Sequence, residues 1–484
     1  DDVLLAQKQR LERLLSIGYD PDTAVRVAAI KDMSGDLGVD VRAALNPLLS
    51  TILEVTDTDL PQGRNIANTL TPESEALSVT AAYELLVAKD LAPPLTTPDT
   101  LRAALSANID QGRVGGIPIA QLDSDENRAK AYAALAQAGL VSPLVTEADV
   151  KTALSERVFF EAYNEPSSDV TDAAKEALKT IEAKVAANQV LDLTLDALSL
   201  ASIYFLAAIG LAITFGVMGV INMAHGEFIM MGAYTGYVVQ QIIPDHTVSI
   251  IVAIPLAFAV TFAAGVAMER LVIRWLYSRP LETLLATFGI SIALQQLAKN
   301  IFGTQARPLT APGWLDGAWV INDVVSISYI RIAIFVLAFV FLAIFLFIMK
   351  RTRLGLETRA VTQNPRMAAS MGINPGRVNM LTFGLGSGIA GVAGVAIGLF
   401  AKVTSELGSD YIVQSFMTVV VGGVGNIWGT LAGAAMIGFL QKGIEWFNPS
   451  NTLAAQTFMI VFIIIFIQFR PRGIIALKGR AAGD

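Results

Sequence analysis

The chain has 484 residues, 53% of them hydrophobic and none of them cysteine, with 35 Lys and Arg against 42 Asp and Glu for a net charge of −7. The absence of cysteine excludes disulfides, thiolate metal sites and a cysteine nucleophile, and it is compatible with an oxidising compartment. The charge is unevenly divided: residues 1–190 hold 17 basic and 29 acidic side chains, net −12, while residues 191–484 hold 18 and 13, net +5.

The opening Asp1-Asp2 has no basic n-region and no apolar h-region. The sequence reading therefore expects either a start after a cleaved leader or an amino-terminal half kept inside the cell. In the first 190 residues apolar positions recur at helical spacing in 3–17, 24–33, 41–55, 75–88, 99–109, 127–138, 147–163 and 172–186. Asp20-Pro21, Pro93-Pro94, Gly115-Gly116 and Glu165-Pro166 separate them, so this region is predicted to be an all-α extramembrane domain. The fragments Val25-Arg26-Val27-Ala28-Ala29, Val41-Arg42-Ala43-Ala44-Leu45 and Leu101-Arg102-Ala103-Ala104-Leu105 look alike. They resemble the helices of HEAT-type repeats, with an irregular helical bundle as the alternative. Residues 164–172, rich in Ser, Asp and Pro, form the expected internal linker.

From residue 191 the chain turns apolar. Spans of about 20 residues are predicted at 197–220, 228–243, 248–272, 284–302, 327–349, 379–401, 412–424, 429–447 and 453–469, about nine in all. The segment 412–424 is too short to cross unless the break Gly422-Gly423-Val424-Gly425-Asn426 is itself buried in protein. Nine crossings place the two ends on opposite sides. With the carboxyl end inside, thirteen basic residues, including Lys350, Arg351, Arg470, Arg472, Lys478 and Arg480, lie in the cytoplasm against five outside. The positive-inside rule then puts residues 1–190 outside the cytoplasmic membrane.

Two stretches carry chemistry. The first, 221–227, contains Asn222, His225 and Glu227 between two apolar spans, where polar side chains are costly. Together with Tyr234, Thr287, Ser291, Gln295 and Asn426, which lie in or beside spans, they form the candidate lining of a solute path. An interhelical hydrogen bond is the alternative for each, and it is favoured for Thr214 and Thr418. For Asn222, His225 and Glu227 the two readings stand level, with a gating or packing role open. The second stretch, 350–377, has six basic side chains. At its centre Arg359, Asn364, Pro365, Arg366, Ala368, Ala369 and Gly372 read as a short helix with a face of small residues and a glycine turn. A basic loop lying on anionic lipid heads would explain its charges alone.

The loop resembles the coupling loop by which importer permeases of the ATP-binding-cassette class engage their nucleotide-hydrolysing subunits. It departs from the common spacing, since only Ser370 and Met371 separate Ala369 from Gly372. The matching pieces are 221–227, Met268-Glu269-Arg270 followed by Arg279-Pro280, 353–372, 419–425 and Arg470-Pro471-Arg472-Gly473. In that order they resemble permeases of the branched-chain amino acid and urea uptake systems. The run 279–291 with Gln295-Gln296, the run 419–426 and the long extension are similar to the urea branch.

The resemblance implies a non-enzymatic permease without cofactor or metal in a bacterial inner membrane, serving nitrogen uptake. Its implied partners are a second permease forming a heterodimer, two ATP-hydrolysing subunits on the cytoplasmic face, an external solute-binding protein and membrane lipid, with no nucleic acid. No Gly-x-x-x-x-Gly-Lys-Ser/Thr loop occurs. A path for urea needs oxygen acceptors and a few donors, whereas leucine needs apolar walls and groups for its two charges. A permease for branched-chain amino acids or short amides is the nearest alternative, and a membrane-anchored sensor or scaffold a remote one.

Overall fold

The computed structural model describes residues 2–57 and 59–475. Lys478 and Arg480, two of the basic residues assigned to the cytoplasm, lie outside the described residues. The chain divides into two compact units, Asp1–Val185 and Ala186–Asp484.

In the first unit α1 (Asp2–Tyr19), α2 (Thr23–Met33) and α3 (Val39–Leu45) precede strands β1 (Thr51–Thr56) and β2 (Ile66–Leu70). Then follow α4 (Val79–Ala88), α5 (Pro98–Ala107), the short hairpin β3 (Arg113–Val114) and β4 (Ile117–Pro118), α6 (Asp125–Gln137), α7 (Glu147–Ser155) and β5 (Val158–Tyr163). The helices start at side-chain caps: Asp22, Ser78, Thr97, Ser124 and Thr146 each accept a first-turn backbone N–H. Such caps are worth about 1 kcal/mol each.

The strands correct the all-α expectation. The run 41–55 is α-helical to Leu45 and continues as a 3-10 helix to Leu49, with Pro47 in it, before the β-branched sequence Thr51-Ile52-Leu53-Glu54-Val55-Thr56 takes it into β1. The run 147–163 likewise divides at Ser155, and Val158-Phe159-Phe160-Glu161-Ala162-Tyr163 becomes β5, the centre of an antiparallel sheet ordered β1-β5-β2. Thr51 faces Tyr163 and Thr56 faces Val158 across β1 and β5, and Phe159 and Phe160 are buried. Both runs are apolar enough for either structure, and aromatic and β-branched content decided between them. The three HEAT-like fragments fall in α2, α3 and α5, with β1 and β2 between the second and third.

The expected linker is a packed joint. Arg26 donates to Glu165 Oε2 at 2.6 Å, and Asn65 Nδ2 bonds the Glu165 carbonyl at 2.9 Å and Thr171 Oγ1 at 3.0 Å.

Helix α8 (Ser168–Met218) runs across the unit boundary, and its later part opens the second unit. It is followed by α9 (His225–Ile242), α10 (His246–Leu271), α11 (Pro280–Phe302), the hairpin β6 (Ala318–Val320) and β7 (Ser326–Ser328), and α12 (Tyr329–Arg351). Short α13 (Arg353–Gln363) and α14 (Pro365–Ser370) lead to α15 (Pro375–Gly398), α16 (Leu407–Gly422), α17 (Ile427–Phe447) and α18 (Thr452–Phe469). Helix α15 is the core element, buried from Thr382 to Gly398 and packed on α9 and α10. Glycines make that closeness possible: a Cβ on Gly232 of α9 would overlap the Gly391 carbonyl of α15.

Each predicted span has a helix, yet the count of about nine is not supported by length and composition. Five helices among the described residues are long and apolar enough to cross, and six if α16 and α17, bent by 118°, make one broken span. Helix α9 carries His225, Glu227, Gln240 and Gln241, and α18 is short. The backbone of the α16–α17 break is covered by the chain's later residues. Ile474 N–H donates to the Val421 carbonyl at 2.8 Å and Ile475 N–H to the Gly422 carbonyl at 3.0 Å.

Candidate functional site

Helix α8 stops at Met218, and Gly219 takes a φ of +65° that favours glycine. Six residues later α9 begins among buried neighbours. Its first residue, His225, is held through Nε2 to the Ala207 carbonyl of α8 at 2.8 Å. The next, Gly226, lies against the Gly408 backbone of α16, where a Cβ on either would overlap the other's carbonyl. This contact fixes the start of α9 and turns Glu227 toward α11.

On α11 Thr287, Ser291 and Gln295 recur every four residues and so share one helical face. Ser291 Oγ donates to Glu227 Oε1 at 2.8 Å and Gln295 Nε2 to the same oxygen at 2.9 Å. Gln295 Nε2 also reaches Ser409 Oγ of α16 at 2.7 Å, and Met223 N–H donates to Thr287 Oγ1 at 3.1 Å. Asn222 Oδ1 accepts from Ala224 N–H at 3.0 Å. Asn222 Nδ2 and Glu227 Oε2 are buried without a partner, which marks a donor and an acceptor with spare capacity.

The structure thus gathers Glu227, Ser291 and Gln295, with Thr287 one turn away on the same face of α11 and Asn222 beside Met223, and adds Ser409, which sequence reasoning missed. A lone serine at a helix start, 114 residues from Gln295, carries no signal of its own. The remaining candidates lie apart from this network. His225 faces α8, and Tyr234 stacks on Phe302 with ring centres 4.2 Å apart. Asn426 caps α17 by accepting from Trp428 N–H at 3.0 Å and Gly429 N–H at 3.2 Å. Thr214 and Thr418 donate to carbonyls of their own helices, Leu211 at 3.1 Å and Gln414 at 2.7 Å.

The loop 350–377 is built on the end of α12. Arg359 donates to the Met349 carbonyl, and Gly355 lies flat against the Met349 backbone. Asn364 caps α14 by accepting from Met367 N–H at 3.0 Å, with Pro365 in its first turn. Gly372 has a φ of +85°. The expected small-residue face is divided. Ala368 points inward against Val361 and Val378, so the outer face presents Met367, Ala369 and Met371, beside exposed Arg366.

The profile of the family described as "Branched-chain amino acid transport system / permease component" matches residues 193–468, leaving 1–192 outside it. Over 291 residues the chain is 28% identical to the high-affinity branched-chain amino acid transport system permease protein LivH of Escherichia coli K12, covering 58% of this chain and 93% of that protein. Over the same length it is 30% identical to the corresponding permease BraD of Pseudomonas aeruginosa, covering 58% and 94%. It is 27% identical over 287 residues to the inner membrane ABC transporter permease protein YjfF of E. coli K12, covering 56% and 82%. No solved structure matches the chain. The matched segment holds both the polar network at the start of α9 and the loop on α12, and the chain belongs to the branched-chain amino acid transport system permease family.

Proposed function

We propose that the chain is a permease subunit of an ATP-binding-cassette importer in a bacterial inner membrane, and not an enzyme. In this reading α13 and α14 receive a cytoplasmic ATPase through Met367, Ala369 and Met371, residues 1–190 stand outside, and 191–484 form the permease. A second permease, two ATPase subunits and an external solute-binding protein complete the machine.

The cargo reading rests on one observation, the make-up of the network around Glu227. It offers hydroxyls, amides and one carboxylate oxygen, and among the described residues no Lys or Arg hydrogen bonds to any of its members. Urea, neutral with four N–H donors and one carbonyl, suits such a set, whereas the carboxylate of an amino acid calls for a cation or aligned N–H groups. The similarity of 279–291 and 419–426 to the urea branch, and the extension beyond the family match, support the same cargo. A second reading has the direct support of the relatives, which urea lacks. LivH and BraD are named for branched-chain amino acids, and the same architecture would carry leucine or a short amide.

Uptake of labelled urea and labelled leucine by cells with and without the chain separates the readings. Urea uptake that depends on the chain, and falls at least tenfold with Gln295→Leu, is expected. Leucine uptake with no urea uptake overturns the cargo and leaves the permease assignment intact.

A further inference from the structure

The second unit has a cavity of about 450 Å³ that the solute path does not use. It lies among the end of α8, the end of α12, α13 and the α16–α17 break. One side is apolar, formed by Ile213, Val217, Phe345 and Leu346. The other carries Lys350 and Arg359, and among the described residues no acidic side chain lines the cavity. Lys350 is exposed and makes no ion pair among the described residues. Arg359 spends one N–H on the Met349 carbonyl and keeps four for another partner. Thr358, 2% exposed, closes the wall behind them, with its hydroxyl oxygen covered by protein. Two cations at one end of a hydrocarbon wall match a ligand that is anionic at its head and apolar in its tail. Trp428, half exposed at the rim, is the residue type that settles at headgroup level.

We propose that this cavity binds one anionic phospholipid, its phosphate on Lys350 and Arg359 and an acyl chain along Ile213, Val217, Phe345 and Leu346. The inference rests on the membrane reading of the second unit and is independent of the cargo. The lipid would bridge α8 and α12 to α13, so that the helix proposed to receive the ATPase is seated on lipid as well as on protein.

The full-length chain is purified in mild detergent and offered phosphatidylglycerol or phosphatidylcholine, with bound lipid counted by native mass spectrometry. One phosphatidylglycerol per chain is expected, preferred roughly 25-fold over phosphatidylcholine, as two basic side chains near a headgroup imply. Lys350→Gln should lower that preference roughly fivefold, the share of one charge. Ile213→Trp, which fills the apolar half and changes no charge, should displace both lipids while gel filtration and circular dichroism stay unchanged. Equal binding of the two lipids overturns the proposal, as does a preference unaltered by Lys350→Gln. Displacement of phosphatidylglycerol by millimolar inorganic phosphate would make the site one for free phosphate and overturn it too.

Discussion

The two units both start helices at side-chain caps but differ in what draws those helices together. In Asp1–Val185 polar side chains do the fastening. Caps start the helices, Arg10 holds Asp36 and Asp40 at 2.6 Å, and Arg26 holds Glu165. In Ala186–Asp484 backbone lies on backbone through Gly226 and Gly408, Gly232 and Gly391, and Gly422 and Gly429. Water gives a reason for the first strategy, because apolar surface is already driven inward and polar groups need only fix geometry. Lipid offers no such drive between helices, so close contact and interhelical hydrogen bonds must supply the attraction.

This contrast can be broken most sharply at Gly232. Gly232→Leu should prevent α9 from seating on α15, costing more than about 3 kcal/mol because neither backbone can yield. Gly443→Ala, where an added Cβ meets nothing within 4 Å, should be tolerated. The yield of monodisperse membrane protein compares the two, and equal yields would end the backbone-contact account.

Next in size is Glu165→Ala, which leaves the half-buried Arg26 without its carboxylate and with only the Ile17 carbonyl, and should cost about 2 kcal/mol. Glu165→Gln should cost less. Faster amide exchange in β5 and the start of α8, without change in α15, is the expected readout, and unchanged exchange in β5 would show the joint to be unimportant.

In the loop, Gly372→Val forces a β-branched residue to a φ of +85° and should cost about 1–2 kcal/mol locally. Ala369→Arg is at an exposed position and should leave the fold unchanged. Both should reduce co-purification of the ATPase severalfold, and normal co-purification with both removes the coupling role.

The smallest effect is one of pH. Hydrogen bonds from Arg10 hold the carboxyls of Asp36 and Asp40 below their ordinary value of 3.8. Their contribution is complete above that value and is lost as pH falls through the lowered one, so the first unit should lose stability progressively below about pH 4. Arg10→Gln should flatten that slope, more visibly at low salt because Asp40 is half exposed. A slope that Arg10→Gln leaves unaltered would dissociate the carboxyls from the acid response.

Helices were the most legible part of the chain, because apolar periodicity survives both solvents. Each predicted span coincides with a helix, but apolar length does not say whether a helix crosses, bends like α16–α17, or begins buried like α9. The runs 41–55 and 147–163 misled because strand and helix share an apolar vocabulary, and residues 164–172 misled because Ser, Asp and Pro also build packed joints. At the candidate site the clustering of Asn222, His225 and Glu227 was visible. That His225 would turn to a backbone carbonyl while Glu227 met Ser291, Gln295 and, through it, Ser409 was not visible. Pairings across 64 and 114 residues depend on the Gly226–Gly408 contact, which one glycine alone does not announce.

The bonds from Ile474 and Ile475 to the α16–α17 break impose an order on biogenesis. A buried carbonyl must find a donor in the protein, and for Val421 and Gly422 those donors are made some fifty residues later. The break is therefore unsealed throughout the insertion of α17 and α18, and the segment reaches its final state only after residue 475 has left the ribosome. A chain stopped at Phe469 should insert its earlier helices and then be cleared by membrane proteases, a fate that pulse-chase labelling would reveal.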